Sequence, residues 1–333
     1  MKAPAYRLEA VTFAYDDGAP VLDVPELSIP GGAITALTGP NGGGKTTLLH
    51  LLALVEAPSG GRLSWFGEDV TSDRVRSLRS RIGLLPQNPY LFDLTVVGNV
   101  EWGLKIRGAP RADARRRAAA ALEEVRLGGL AQRQAAQLSG GEAKRLALAR
   151  VLSLEPDVLL LDEPFAHMDR ESAERAENLI LQCSGERGVT VVLASHDALR
   201  AQAMARHAFC VRDGTVTPAV PTNVFRGRLS AGGLHFETGR ISISVAPPPS
   251  EGTHVAIDPS AIVLSTESLR SSMRNTFRGR ITAVSRQEGS VHVQVEAGER
   301  FSVLITRDSL GMLGLAEGTE VYLCFKATAA RVF

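Results

Sequence analysis

The run Gly39-Pro40-Asn41-Gly42-Gly43-Gly44-Lys45-Thr46 restricts this chain more than any other segment. It stands between residues 33–38, a short apolar run of strand length, and residues 46–54, where the apolar spacing becomes helical. A glycine-rich turn between a strand and a helix, ending in Lys-Thr, is built to hold phosphate. Its backbone N–H groups point inward and the helix start adds partial positive charge. At this spacing Lys45 falls on the β- and γ-phosphates, Thr46 on Mg2+ and Thr47 on the α-phosphate. The same feature commits the first part of the chain to an α/β fold, with strands covered on both faces. Residues 158–161 and 190–194 fit that class, being apolar without alternation. Residues 111–127, rich in Ala, Arg and Glu, read as an exposed amphipathic helix.

Two further motifs extend the phosphate chemistry. The apolar run at 158–161 ends in Asp162-Glu163, which places one carboxylate near the metal and one near the γ-phosphate. Asp162 is expected to hold Mg2+ through water, and Glu163 to act on the attacking water as general base. Leu138-Ser139-Gly140-Gly141-Glu142-Ala143-Lys144-Arg145 then opens a helix with a serine cap and two glycines, a second anion-binding helix start. Two such starts in one chain invite a site shared across a dimer.

Composition narrows the class. With 333 residues the chain has room for two domains. Its hydrophobic share of 44% excludes disorder. A formal net charge of +1 gives no global field to recruit nucleic acid or acidic lipid. The opening residues Met1-Lys2-Ala3-Pro4-Ala5-Tyr6-Arg7 have no apolar core of a leader peptide, and no long uncharged apolar run is present to span a membrane. Cys183, Cys210 and Cys324 have no metal-ligand spacing and read as small apolar fillers in a reducing compartment.

Past Gly214 the texture changes to short alternating runs, at 240–245 and 290–296, separated by Gly and by the tract Pro247-Pro248-Pro249. An internal repeat lies here. Asn223-Val-Phe-Arg-Gly-Arg-Leu229 recurs as Asn275-Thr-Phe-Arg-Gly-Arg-Ile281, and Glu251-Gly-Thr-His-Val255 recurs as Glu317-Gly-Thr-Glu-Val321. The simple reading is two related β-modules in tandem, 220–265 and 272–333, joined by a linker at 265–274. The second is longer between these marks, with a short helix expected at 306–315.

In order and spacing, the phosphate loop, the Ser139 motif and the Asp162-Glu163 strand end resemble the nucleotide-binding domain of ATP-binding cassette (ABC) transporters, over about residues 6–216. Three further marks agree: Tyr15 resembles the aromatic that stacks on adenine, Gln87 the glutamine that senses Mg2+ and the membrane subunit, and His196 the switch histidine on the γ-phosphate. The resemblance implies two subunits sandwiching two ATP molecules, each held by one chain's phosphate loop and the other chain's Ser139, Gly140, Gly141 and Asp169. It also implies two transmembrane permease subunits, an extracytoplasmic solute-binding protein and a peripheral place on the cytoplasmic membrane face. The apolar residues of 88–106 (Leu91, Phe92, Val96, Trp102) are either the surface that receives the permease or core.

Three departures stand out: glycine at 43, Glu142 where glutamine is usual, and Ala166-His167-Met168-Asp169 in the aspartate loop. Residues 217–333 resemble the small all-β, oligonucleotide-binding-like TOBE barrels of importers, and the second copy resembles the molybdate-binding Mop fold. That likeness points to Arg274, Asn275, Lys326, Ala327 and Thr328 as contacts for a regulatory oxyanion. The first copy carries Asp258-Pro259-Ser260 where the second has Lys326-Ala327-Thr328, and a carboxylate repels an oxyanion. The expectation is an ATP-hydrolysing subunit of a molybdate or tungstate importer. The alternatives are an importer of sulfate, sugar or iron with purely structural barrels, a soluble ABC protein, and an oxyanion sensor with a vestigial cassette.

Overall fold

The computed structural model describes residues 3–16, 18–219, 222–246, 252–287 and 290–333. Met1, Lys2, the tract 247–249 and Glu251 of the repeat lie outside the described residues. The chain divides into two compact units, Met1–Ala219 and Val220–Phe333. The division falls after Ala219 rather than after residue 216, because residues 215–218 pair antiparallel with 209–212 and so belong to the first unit.

In chain order the first unit carries β1 (Tyr6–Phe13), β2 (Leu22–Ile29), β3 (Ile34–Thr38), α1 (Lys45–Leu52), β4 (Gly60–Trp65), β5 (Glu68–Asp69), α2 (Val75–Arg79), β6 (Ile82–Leu85) and α3 (Val96–Ile106). It continues with α4 (Arg111–Glu124), α5 (Gly140–Leu152), β7 (Val158–Asp162), α6 (Arg170–Gly185), β8 (Thr190–Ala194), α7 (Ala198–Met204), β9 (His207–Arg212) and β10 (Thr215–Pro218). One sheet runs β5-β4-β1-β2-β10-β9-β3-β8-β7-β6. From β9 to β6 its pairs are parallel, whereas β1, β2, β4 and β5 form an antiparallel wing. Every residue of β3, β7 and β8 is buried, as uninterrupted apolar runs require between two helical layers. Their carboxyl ends lie side by side, and the crevice outside those ends is where an open α/β sheet takes its ligand.

Helices α3, α4 and α5 share a separate core. Helix α4 buries Ala114, Ala118, Ala121 and Leu122 and leaves its arginine-rich face in water. Val96 is core, whereas Tyr90, Trp102 and Ile106 are exposed, so the 88–106 segment divides between the two readings.

Among its described residues the second unit is built of strands with one short α-helix and two 3-10 turns: β11 (Asn223–Arg226), β12 (Arg228–Leu229), β13 (His235–Glu237), β14 (Ser242–Ser244), β15 (His254–Ile257), β16 (Val263–Ser265), β17 (Asn275–Gln287), β18 (Ser290–Ala297), β19 (Glu299–Ile305), α8 (Arg307–Met312), β20 (Glu320–Phe325) and β21 (Ala330–Val332). The repeat copies do not fold as separate modules. Strand β16 of the first copy pairs with β20 of the second, and β21 of the second pairs with β15 of the first. Phe236, Ile243 and Val255 of one copy share a core with Phe301, Leu323 and Phe325 of the other.

The repeated asparagines lock this exchange. Asn223 accepts from Ser302 N (2.6 Å) and donates to Ser302 O (2.8 Å). Asn275 accepts from Ser244 N (2.7 Å) and donates to Ser244 O (2.8 Å). Each side chain thus bonds to the main chain of the other copy as a strand would.

Candidate functional site

The loop after β3 bends sharply over β9. Gly39 has φ +133°, and a Cβ there would lie 2.1 Å from the Val211 carbonyl oxygen. A Cβ at Gly43 would meet the same oxygen at 2.6 Å, so in this chain glycine at 43 follows from the packing of loop on strand. Helix α1 begins at Lys45 with no side-chain cap, which leaves its first N–H groups to the loop's concave side. Lys45 is buried, and its ammonium donates to the carbonyls of Gly39 (2.9 Å) and Pro40 (2.8 Å). Thr46 donates to Asp162 Oδ2 at 2.7 Å, which brings the loop hydroxyl and the end of β7 together.

Glu163 follows β7 in a left-handed conformation, φ +47°, that turns its buried side chain toward the end of β8. There its carboxylate accepts from Ser195 Oγ (3.2 Å) and from His196 N (2.7 Å), and lies 2.9 Å from His196 Nδ1. Lys45, Thr46, Gln87, Asp162, Glu163 and His196 line one cavity of about 300 Å3 with the loop glycines. Burial pushes the Asp162 carboxyl above the usual carboxylate range, against the Thr46 hydrogen bond that draws it down. A hydroxyl and a carboxylate in contact, beside an ammonium and a helix start, suit a divalent cation bridged to phosphate oxygens. Among the described residues no cluster of His, Cys, Asp and Glu makes a protein-only metal cage.

The other residues singled out by the resemblance, Tyr15, Ser139 and Asp169, are not among those that line this cavity. Tyr15 is 45% exposed, its ring packs edge-to-face on Phe13 with centroids 4.8 Å apart, and its hydroxyl lies 3.2 Å from Thr47 Oγ1 beside the loop. Ser139 caps α5, and Glu142 returns its carboxylate to Ser139 N at 2.8 Å in a capping box. The carboxylate that replaces glutamine is therefore engaged in its own helix start. Asp169 caps α6 through Ser172 N (2.9 Å) and Oγ (2.8 Å). A Cβ at Gly141 would lie 3.3 Å from the His167 carbonyl, so the start of α5 and the aspartate loop adjoin.

Two site residues escaped the sequence. Lys144 reads there as one more helix charge, yet it is 3% exposed and donates from Nζ to the Gln87 carbonyl. Burial draws its ammonium below the ordinary lysine value, while Asp162 and Glu163 hold it up. Asn99 is fully buried in α3, accepts from Phe92 N (2.8 Å) and donates to the carbonyls of Phe92 and Thr95 (both 3.1 Å), which fixes the loop after Gln87.

In the second unit a cavity of about 610 Å3 is lined by Ser272, Arg274, Lys326, Ala327 and Thr328, with an apolar wall of Leu234 and Val245. Four of the five expected oxyanion residues meet there. Asn275 does not, because both ends of its amide are engaged by Ser244. Lys326 starts a 3-10 turn without a side-chain cap, whereas at the matching turn of the first copy Asp258 accepts from Ser260 N (2.7 Å) and Oγ (2.5 Å).

The ABC transporter family model matches residues 22–166, and the TOBE domain model matches 271–332. The molybdate/tungstate import ATP-binding protein WtpC of Pyrococcus abyssi is 31% identical over 89% of this chain and 91% of its own length. The sulfate/thiosulfate import ATP-binding protein CysA 1 of Rhizobium meliloti is 32% identical over 95% and 96%. Among solved structures, a dimeric ATP-binding cassette in a post-hydrolysis state with ADP and Pi superposes with a TM-score of 0.59 at 30% identity, over 63% of this chain and 96% of that one.

Proposed function

The chain belongs to the ABC transporter family as an ATP-hydrolysing importer subunit, and from that premise we propose that it drives uptake of molybdate or tungstate. The supporting observation is the cavity lined by Arg274, Lys326, Ser272 and Thr328, with no carboxylate among its described lining residues. A tetrahedral dianion asks for that donor set. Sulfate has the same charge and shape, and the relative named for sulfate/thiosulfate import makes it the second reading.

In the nucleotide site, Lys45 releases the loop carbonyls to pair with the β- and γ-phosphates, and loop N–H groups hold the remaining oxygens. Thr46 and Asp162 would hold Mg2+, which when bound offsets phosphate charge. Glu163, oriented by Ser195 and His196, accepts the proton of the attacking water, and His196 faces the γ-phosphate. Gln87 reports the cavity's state to the exposed Tyr90, Trp102 and Ile106, which meet the permease. Two copies close on two ATP molecules, Ser139, Gly140, Gly141 and Asp169 of each completing the other's site. Two permease subunits and an extracytoplasmic binding protein complete an assembly in which this chain is peripheral to the membrane. No helix among the described residues is long and apolar enough to cross one.

Calorimetric titration of molybdate, tungstate and sulfate into the full chain tests the substrate. Micromolar binding of the first two, lost in Lys326→Ala and not matched by sulfate, is the expected result. Tighter sulfate binding moves the assignment to sulfate, and no heat from any of them removes the oxyanion from the second unit.

A further inference from the structure

Lys144 is out of keeping with its surroundings. Taking an ammonium out of water is unfavourable, and an apolar side chain of equal volume packs at no such cost. Only specific partners keep it there. Its Nζ donates to the main-chain oxygen of Gln87, on the loop that follows β6, and it lies in the fields of Asp162 and Glu163 at the end of β7. Its backbone belongs to α5, the helix that Ser139 caps.

One helix therefore touches two sites at once. Its side chain at 144 reaches the Gln87 loop of its own nucleotide cavity, while its capped end at Ser139 is the part offered to the partner's nucleotide. Gln87 lines the cavity beside Asp162, so the loop position depends on what the cavity holds. A hydrogen bond from α5 to that loop turns a local change into a displacement of the helix.

We propose that Lys144 is a positioning residue that makes the Gln87 loop and the Ser139 end of α5 move as one body, passing the state of one ATP site to the other. The proposal rests on the two-ATP sandwich reading. It predicts coupling without direct contact between Lys144 and nucleotide. A purely structural lysine, present only to neutralise Asp162 and Glu163, predicts no linkage between the two segments.

The test is Lys144→Met in the full chain, which keeps the stem and removes donor and charge. Melting temperature is expected to fall by a few degrees, because the variant leaves the Gln87 carbonyl and the Asp162 and Glu163 carboxylates without their buried partner. ATP turnover is expected to fall about tenfold in kcat with KM within about twofold, the size of an ordinary coupling. Hydrogen exchange supplies the readout that a structural role would not move. In the wild type, added ATP analogue protects residues 86–90 and 139–143 together. In Lys144→Met, protection is expected at 86–90 and not at 139–143. Wild-type kcat and joint protection in the variant overturn the proposal. Should the variant fail to fold, the wild-type experiment still decides, since independent responses of the two segments refute the linkage. Failure of the wild type to dimerise with ATP refutes the sandwich reading instead.

Discussion

Replacing Asn275 by alanine separates two accounts of that residue, ligand contact or strand clamp. The side chain is 2% exposed and makes two hydrogen bonds to Ser244, at 2.7 and 2.8 Å. Each is worth about 1 kcal/mol net, and stranding the Ser244 N–H and C=O adds about 1–2 kcal/mol more. The total is about 3 kcal/mol, carried entirely by the second unit. For a unit of this size that is a fall of about 10 °C or more in its melting transition. Both tryptophans, Trp65 and Trp102, belong to the first unit, so indole fluorescence reports that unit alone. Calorimetry of the whole chain should show one transition moving while the fluorescence transition stays in place. Asn223→Ala, which removes the matching clamp on Ser302, should do the same. A shift under about 1 kcal/mol, with molybdate binding abolished, would make Asn275 a ligand and refute the clamp.

Three further outcomes follow from the geometry. Glu163→Gln should lower ATP turnover at least about a hundredfold while ATP-driven dimerisation persists, measured by phosphate release and by light scattering. Wild-type turnover in that variant removes Glu163 from the chemistry. Arg200 on α7 lies 4.7 Å from the Phe165 ring centroid and pairs with the buried Glu177 of α6 at 3.4 Å. Arg200→Met should cost the first unit about 3 kcal/mol in denaturant unfolding, and Glu177→Gln added to it should recover part of that loss. Additive losses would show that the two residues are not coupled. The third outcome concerns pH. Hydrogen bonds at the α5 and α6 caps lower the Glu142 and Asp169 carboxyls below their ordinary values. Their stabilisation is therefore fully present above the ordinary carboxylate range and disappears as pH falls through the lower folded-state values. Exchange protection of the Ser139 and Ser172 amides, corrected for intrinsic rates, should weaken over that window, and protection independent of pH would refute the assignment.

The cassette was legible where a single residue type has a single physical use. Uninterrupted apolar runs are strands with two covered faces, and glycines before Lys-Thr are a phosphate loop. Lys144 was not legible, because a lysine inside a charged helical stretch has the pattern of a solvated face. Only the packing of α5 against β6, and the Gln87 carbonyl beyond it, takes the side chain out of water. Glycine at 43 and glutamate at 142 looked like departures and proved to have local causes, the Val211 carbonyl and the Ser139 cap. In the second unit alternation gave strands but not partners. A period of two says which face is wet, and nothing in it says that β16 and β21 cross to the other copy.

That crossing sets an order of events during synthesis. Strand β10, which closes the first unit, ends at Pro218, so the cassette has all its strands while the rest is still being made. The second unit has no such early stopping point. Strand β15 waits for residues 330–332, and Asn223 waits for Ser302. The sheet β12-β13-β14 forms within the first copy, but β15 has only β11 and β16 has no partner until the second copy is made, so a ribosome paused between them holds a folded enzyme trailing unpaired strand edges. Two such paused chains could satisfy each other's edges, so the internal duplication also guards against the wrong pairing by keeping the right partner on the same chain.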